Sequence, residues 1–279
     1  LHLWRELVAA TREAPGLIRD GAAYLATLRT ARVPVIWNAR GLQARGTHRL
    51  EAIAYTCDGE TASLTCDTLC VGYGFAPTTD IARALGCAHS LVDRGVGHLA
   101  TDIDVNGQTS IEGVLAAGDG TRIGGARVAL ARGTLAGHAA ADALGLQPNA
   151  DVDQSRAAAR HALARAERFQ TALWKIFAAP VPRIADLPRD TIVCRCEDVT
   201  QGAIIDHIAA GHDTLASIKR NTRLGMGRCQ GRNCAASCAR LIEESTGRPR
   251  GVMHFLAPRL PVRPVPLAAL AFEKAEWGG

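Results

Sequence analysis
Two close cysteine pairs, Cys194-x-Cys196 and Cys229-x-x-x-x-Cys234, flank the stretch 197–228. Four thiolates are the ligand set of an iron–sulfur cluster. Each short pair delivers two of them from a single turn, so little backbone must be ordered to complete a site. A tetrahedral Zn(Cys)4 site is the alternative, but structural zinc modules favour wider gaps, and the one-residue gap between Cys194 and Cys196 is tight for that geometry. Buried thiols are the third reading, because free cysteine is among the most buried residue types. The second pair sits in Gly225-Met226-Gly227-Arg228-Cys229-Gln230-Gly231-Arg232-Asn233-Cys234, a polar, glycine-rich setting unlike a packed core. The pattern therefore points to metal, with iron–sulfur ahead of zinc.

The residues between the pairs must bring them together, and they read as small helices. Asp198-Val199-Thr200 offers an N-cap before Ile204, Ile205 and Ile208, with Gly211 as the stop. A second helix starts after Thr214 and carries Leu215 and Ile218. A third runs from about Asn233 through Leu241 and Ile242, which puts Cys234 in its first turn, where the positive end of the helix favours a thiolate. Cys238, one turn on, reads as a helix-packing thiol. Arg195, Lys219, Arg220, Arg223, Arg228 and Arg232 would offset the negative charge of a thiolate cluster. No aromatic residue interleaves with them between Cys194 and Arg250, which argues against base stacking and hence against nucleic acid.

Upstream, the pattern is one of strands and turns: Val33–Trp37, Leu50–Tyr55, the turn Cys57-Asp58-Gly59, and Ala62–Cys66. Thr68-Leu69-Cys70-Val71-Gly72-Tyr73-Gly74 is a continuous apolar run, as expected of a parallel strand buried on both faces, and Pro77 and Thr78 lead from it into a helix over Ile81–Leu85. A second such strand, Gly113–Ala117, runs into Gly118-Asp119-Gly120 and then, through Gly124, Gly125 and Ala126, into a helix reaching Ala143. A carboxylate there lies at the carboxyl edge of a parallel sheet, where doubly wound folds bind ligands, and it can accept hydrogen bonds from a sugar-type hydroxyl. Asp119, with Gly118, Gly120, Gly125 and Ala126 around the helix entry, is thus the candidate flavin contact; an Asp-Gly turn without a ligand is the plainer reading of the same residues. Ser155–Phe177 is an alanine- and arginine-rich helix with Leu163, Phe169, Leu173, Trp174 and Phe177 as apolar contacts, and Pro180, Pro182 and Pro188 then make an extended linker. His98, His138, His161, His207 and His212 have no ligand-like spacing, and no Ser/His/Asp or paired-carboxylate arrangement supplies a general base.

These motifs carry a family resemblance. Cys194-Arg195-Cys196-Glu197-Asp198-Val199-Thr200, followed by Ile218 through Cys234, resembles the [2Fe-2S] domain of the bacterioferritin-associated ferredoxin type. The four-residue gap between Cys229 and Cys234 is similar to the form fused to the alpha subunits of opine oxidase, hydrogen cyanide synthase and related amino-acid dehydrogenases. Ile111–Asp119 resembles the second FAD-binding motif of flavoprotein reductases with two dinucleotide-binding domains, and Leu69–Pro77 resembles their strand returning from the NAD-type insert. The closing Pro261-Val262-Arg263-Pro264-Val265-Pro266-Leu267 is also similar to those alpha subunits.

The resemblance implies an α/β fold: the C-terminal part of a two-dinucleotide-binding-domain flavoprotein, followed by a small, mostly α-helical [2Fe-2S] domain. It divides the chain into the second half of an NAD(P)-type insert (1–66), the C-terminal part of an FAD-binding domain (67–148), a helix and proline-rich linker (149–189), the [2Fe-2S] domain (190–247) and a tail (248–279). It implies FAD contacted at its ribityl chain by Asp119 and a [2Fe-2S] cluster on Cys194, Cys196, Cys229 and Cys234. It also implies a partner, the second, flavin-bearing beta subunit of a hetero-oligomer, and an amino-acid, imino-acid or opine substrate oxidised at its C–N bond. The Gly-x-Gly-x-x-Gly loops that cradle the FAD pyrophosphate in that family are missing, since Gly72-Tyr73-Gly74-Phe75-Ala76-Pro77 ends in proline. The chain opens at Leu1, without methionine and in helix-like sequence, so the pieces carrying those loops are expected to precede it.

Composition agrees with this. At 279 residues and 47% hydrophobic, the chain can bury sizeable cores, and a net charge of +5 with the signs dispersed does not indicate a dedicated nucleic-acid or membrane-surface role. Nine cysteines without an export signal point to a reducing, cytoplasmic setting. No apolar run is long enough for a membrane span, so any membrane contact would be peripheral.

Overall fold
The computed structural model describes residues 2–72, 74–92, 96–146, 148–178, 181–262 and 264–270. Tyr73, Pro180 and Arg263, which belong to motifs read above, lie outside the described residues. The chain forms two compact units, Leu1–Gly74 and Phe75–Gly279.

In the first unit, α1 (His2–Glu13) and α2 (Pro15–Thr30) precede a three-stranded antiparallel sheet of β1 (Arg40–Arg45), β2 (Ala52–Cys57) and β3 (Glu60–Thr65), in that order. Pro15 opens α2 where a missing N–H costs nothing. Between β2 and β3, Asp58 and Gly59 have φ of 51° and 87°, the two positive torsions of the hairpin turn whose twist matches its strands. The expected strand Val33–Trp37 does not form; these residues connect α2 to β1, and Val33, Val35, Ile36 and Trp37 are exposed. The described residues of the run at 68–74 likewise form no strand, with Leu69 and Val71 exposed. An apolar run becomes a buried parallel strand only where neighbouring strands take up its N–H and C=O groups, and among the described residues no strand flanks either segment.

The second unit begins with α3 (Asp80–Ala84) and the antiparallel pair β4 (His89–Val92) and β5 (His98–Thr101). Gly113–Ala117, expected as a parallel strand, is instead a loop that folds back on residues 107–109. Thr109 donates its N–H and its hydroxyl to the Val114 carbonyl (3.0 and 2.8 Å), and the Ala116 N–H donates to the Gly107 carbonyl (2.8 Å). Local antiparallel bridges thus use the groups a parallel neighbour would have taken.

α4 (Gly125–Ala143) packs on α5 (Ala150–Ile176), which Asn149 caps by accepting from the Val152 N–H at 2.9 Å. The seam is Val128, Ala131 and Leu135 on α4, with Ala159, Ala166, Phe169 and Ala172 buried on α5. Alanines make much of this contact, and Phe177, expected to pack, is exposed just past the last turn of α5.

The cysteine module follows: β6 (Ile192–Cys194) and β7 (Val199–Thr200) pair antiparallel, then come α6 (Gln201–Ala209), α7 (Leu215–Thr222) and α8 (Ala235–Thr246). The caps lie where the sequence puts them. Thr200 accepts from Ala203 N–H and Thr214 from Ser217 N–H, both at 3.2 Å, and Gly211 (φ 89°) follows the end of α6. Ile204, Ile218, Leu224 and Leu241 are fully buried together with Cys238, so the module has its own core. Among the described residues no helix is long and apolar enough to cross a membrane.

Candidate functional site
The fold of the cysteine module converts a sequence gap into proximity. Cys194 ends β6 and Cys234 is the N-cap residue of α8, both 1% exposed; Cys196 is exposed in the β6–β7 turn, and Cys229 is half-buried in the α7–α8 loop. Cys194 and Cys234 lie in the same buried core, the Cys196 side chain lies against Gly227, two residues before Cys229, and electrostatic interactions couple Cys194 to Cys234, Cys196 to Cys229 and Cys229 to Cys234. Among the described residues no three His, Cys, Asp or Glu side chains converge on the geometry of a single bound ion. Four thiols brought together in this way could hold an inorganic centre, which for a binuclear cluster takes two protein thiolates per iron. Cys238 is a fully buried core thiol whose pKa is raised by burial, then by the neighbouring Cys234 and Cys194.

The two halves of the site differ electrostatically. Burial pushes the Cys229 thiol up, but the backbone N–H groups of Asn233 and Gly231, the Cys196 thiol and the Arg232 N–H together outweigh it, so Cys229 titrates below an ordinary cysteine. Successive amides turned toward one sulfur form an anion nest. Cys234 is pushed up to about 12, first by burial and then by the charge and hydrogen bond of Cys194 and the charge of Cys229.

Glycines make room for the cysteine turns. A Cβ on Gly227 would collide with Cys196 Cβ, and a Cβ on Gly225 (φ 77°) or Gly231 (φ 83°) would lie 2.6 Å from Leu256 Cδ1. Arg223 Nε donates to Glu197 Oε2 at 2.8 Å and ties the Cys196 turn to the end of α7.

The five flavin candidates gather at one turn and helix entry. Gly118 (φ 83°) accepts on its carbonyl from Thr121 N–H (3.0 Å) and hydroxyl (2.9 Å), and the Gly120 carbonyl accepts from Thr101 N–H at 2.8 Å, which anchors the turn to β5. Asp119 is exposed, and its carboxylate has no hydrogen-bond or ion-pair partner among the described residues. Gly125 (φ 78°) and Ala126 begin α4 with Gly124 at the N-cap, no side chain caps that end, and its first turn carries no acid. Its leading amides therefore remain available to an electron-rich group.

His138 meets Ser155 at 3.1 Å, His207 lies tilted beside His212 with ring centres 5.7 Å apart, and His212 meets Ser217 at 3.0 Å. One group escaped the sequence reading. Arg232 is not a loose counter-cation, since it is paired with Asp80 across 152 residues, a separation that leaves no local signal.

Two family descriptions match the chain: pyridine nucleotide-disulphide oxidoreductase over residues 19–143 and the sarcosine oxidase A3 domain over residues 189–274. Hydrogen cyanide synthase subunit HcnB of Pseudomonas protegens is 30% identical over 91% of this chain and 55% of its own length. An opine oxidase subunit from Agrobacterium tumefaciens is 33% identical over 85% of this chain and 47% of its own length. The chain belongs to this family of flavoprotein oxidoreductases. It spans about half the length of the curated family members it matches. The crystal structure of L-proline dehydrogenase from P. horikoshii superposes with a TM-score of 0.64 at 20% identity, over 89% of this chain and 48% of that one, so the α/β flavoprotein fold of the family is shared.

Proposed function
We propose that this chain is the electron-transferring part of an FAD-dependent dehydrogenase (oxidase) alpha subunit, passing electrons from FAD to a [2Fe-2S] cluster during oxidation of an amino-acid, imino-acid or opine C–N bond. When bound, FAD accepts two electrons at once and a [2Fe-2S] cluster carries one at a time, so their pairing feeds a hydride-type oxidation into a one-electron chain. Cys194, Cys196, Cys229 and Cys234 ligate the cluster, with the amides of Gly231, Arg232 and Asn233 directed at Cys229. Asp119 accepts from a ribityl hydroxyl of FAD, and the leading amides of α4 at Gly125 and Ala126 face the flavin edge. No residue of this chain is assigned as a general base. The catalytic acid–base chemistry therefore belongs to residues outside the described ones or to a second, flavin-bearing subunit, and the subunit names of the curated relatives support such a partner. The setting is cytoplasmic on this reading.

The observation that carries the proposal is the meeting of the two cysteine segments from opposite ends of the module: Cys194 and Cys234 share one buried core, and the Cys196 side chain lies against Gly227, two residues before Cys229. Anaerobic iron and acid-labile sulfide assays, with a visible spectrum and EPR after dithionite reduction, test it: about two irons and two sulfides per chain are expected from the cluster type. Zinc without sulfide would overturn it in favour of a stapled structural module. Dye reduction by the intact gene product, purified with whatever co-elutes and challenged with amino acids and opines, tests the substrate class.

A further inference from the structure
Helix α3 carries two charged side chains, one turn apart, that reach the cysteine module and the tail. Asp80 Oδ2 accepts from Arg232 Nε at 2.7 Å, with 18% and 27% of the two side chains exposed, and Arg83 Nη2 donates to the Leu256 carbonyl at 2.7 Å. The same Arg232 guanidinium donates through Nη1 to the Cys229 carbonyl at 3.3 Å and through Nη2 to the Val262 carbonyl. One planar fork thus holds α3, the cysteine loop and the tail together. Arginine can do this because its donors are rigidly arranged; a lysine in its place would offer a single point charge. From the tail side, Leu256 closes over Gly225 and Gly231, so the loop is gripped on both faces.

The grip continues to the flavin turn. The Thr78 carbonyl lies 3.5 Å from where a Cβ on Gly120 would sit, and Thr79 is the N-cap residue of α3. A run of neighbours therefore leads from Gly120 to Thr78 beside it, two residues along the chain to Asp80, across to Arg232 and on to Cys229. An exposed ion pair would contribute little to such a path, but this one is largely covered and its guanidinium serves three acceptors, so removal of either partner strands a charge.

We infer that Arg232 is a positioning residue of the electron path: with Asp80 it fixes the Cys229 loop relative to the flavin turn, and its charge, balanced by Asp80, sets the reduction potential of the centre held by the four cysteines. The inference rests on the cluster reading above, and the test separates the two. The full chain with its co-purifying partner is prepared as wild type, Asp80→Asn, Arg232→Gln and Arg232→Lys. Amide exchange over residues 225–235, read by mass spectrometry, needs no cluster. It should quicken about tenfold in all three variants, the loss expected for a charged hydrogen bond. EPR-monitored redox titration gives the second readout. Asp80→Asn leaves a cation uncompensated and raises the potential, Arg232→Gln removes one and lowers it, and Arg232→Lys stays near wild type despite its loosened loop. Loosening alone would move the first two variants the same way, so a common sign, or unchanged exchange, overturns the inference. Absence of iron and sulfide in the wild type would overturn the cluster reading and with it the potential-setting role, while the exchange data would still decide the grip.

Discussion
Replacing Gly227 by alanine tests the position of Cys196 most directly. The added methyl would collide with Cys196 Cβ while lying 3.1 Å from Glu197 Oε1 and 3.5 Å from Cys196 Sγ. Gly227 does not occupy the left-handed region, so the substitution carries no torsional penalty of its own and acts through contact alone. To reach ordinary carbon–carbon separation the β6–β7 turn must retreat by about 1 Å. That movement is opposed by the Arg223–Glu197 pair at 2.8 Å. Overpacking of this kind costs about 1–3 kcal/mol, and displacing a supporting contact of a metal site typically weakens binding by about 10–100-fold. The assay is anaerobic release of iron to a chelator, followed optically, with iron and sulfide content per chain before and after. Release should be at least about tenfold faster than in wild type, whereas Gly133→Ala, on α4 with nothing within 4 Å of its would-be Cβ, should leave it unchanged. A Gly227→Ala protein that kept its iron, its release rate and its EPR signal would refute the placement of Cys196 among the ligands.

Three further outcomes follow from packing and protonation. Gly133→Ala and Gly137→Ala, both in the interior of α4 with open space for a methyl, should each stabilise the protein by about 0.5–1 kcal/mol, seen as a higher Tm by circular dichroism. Leu241→Ala, at 0% exposure in the cysteine-module core, should destabilise by about 2–5 kcal/mol in denaturant titrations and lower cluster retention. His89 donates from Nδ1 to the Cys87 carbonyl at 2.7 Å and accepts at Nε2 from the Thr101 hydroxyl at 3.0 Å, and burial first, then nearby Arg83, depresses its pKa against the opposing pulls of the Cys87 carbonyl and Asp102. A depressed histidine stabilises above its unfolded value of 6.5 and loses that contribution as pH falls through the folded value. Unfolding free energy should therefore decline with acidification from pH 6.5 downward, and a slope that is identical in His89→Gln would sink the assignment.

Local chemistry made parts of this fold legible. Thr200, Thr214 and Gly211 mark helix ends through bonds between near neighbours in sequence, and Asp58-Gly59 encodes its hairpin through two backbone torsions. The cysteine pairs were legible for the same reason, since each is a property of one turn. Val33–Trp37, the run at 68–74 and Gly113–Ala117 were misread because apolarity states only that a segment is suited to burial, while strand formation needs a hydrogen-bonding neighbour supplied from elsewhere. Of the apolar contacts the sequence points to on the helix at 150–176, Phe169 is buried and Leu163, Leu173 and Trp174 are half-buried, but Phe177 is exposed and the rest of the buried seam is alanine, which gives no apolar signal of its own. The Asp80–Arg232 pair had no signature at all, because nothing near either residue records the other.

The four cysteines proposed as ligands are asymmetric with respect to solvent. Cys194 and Cys234 double as core side chains, whereas Cys196 is open to water and Cys229 half open. The module therefore has a sealed floor and an open mouth. An inorganic centre delivered after folding would have to enter by the mouth, and oxidants or chelators would strip it from the same direction. If the proposed cluster is held there, a redox protein drawing electrons from it would dock at the same side, so delivery, damage and discharge would compete for one doorway.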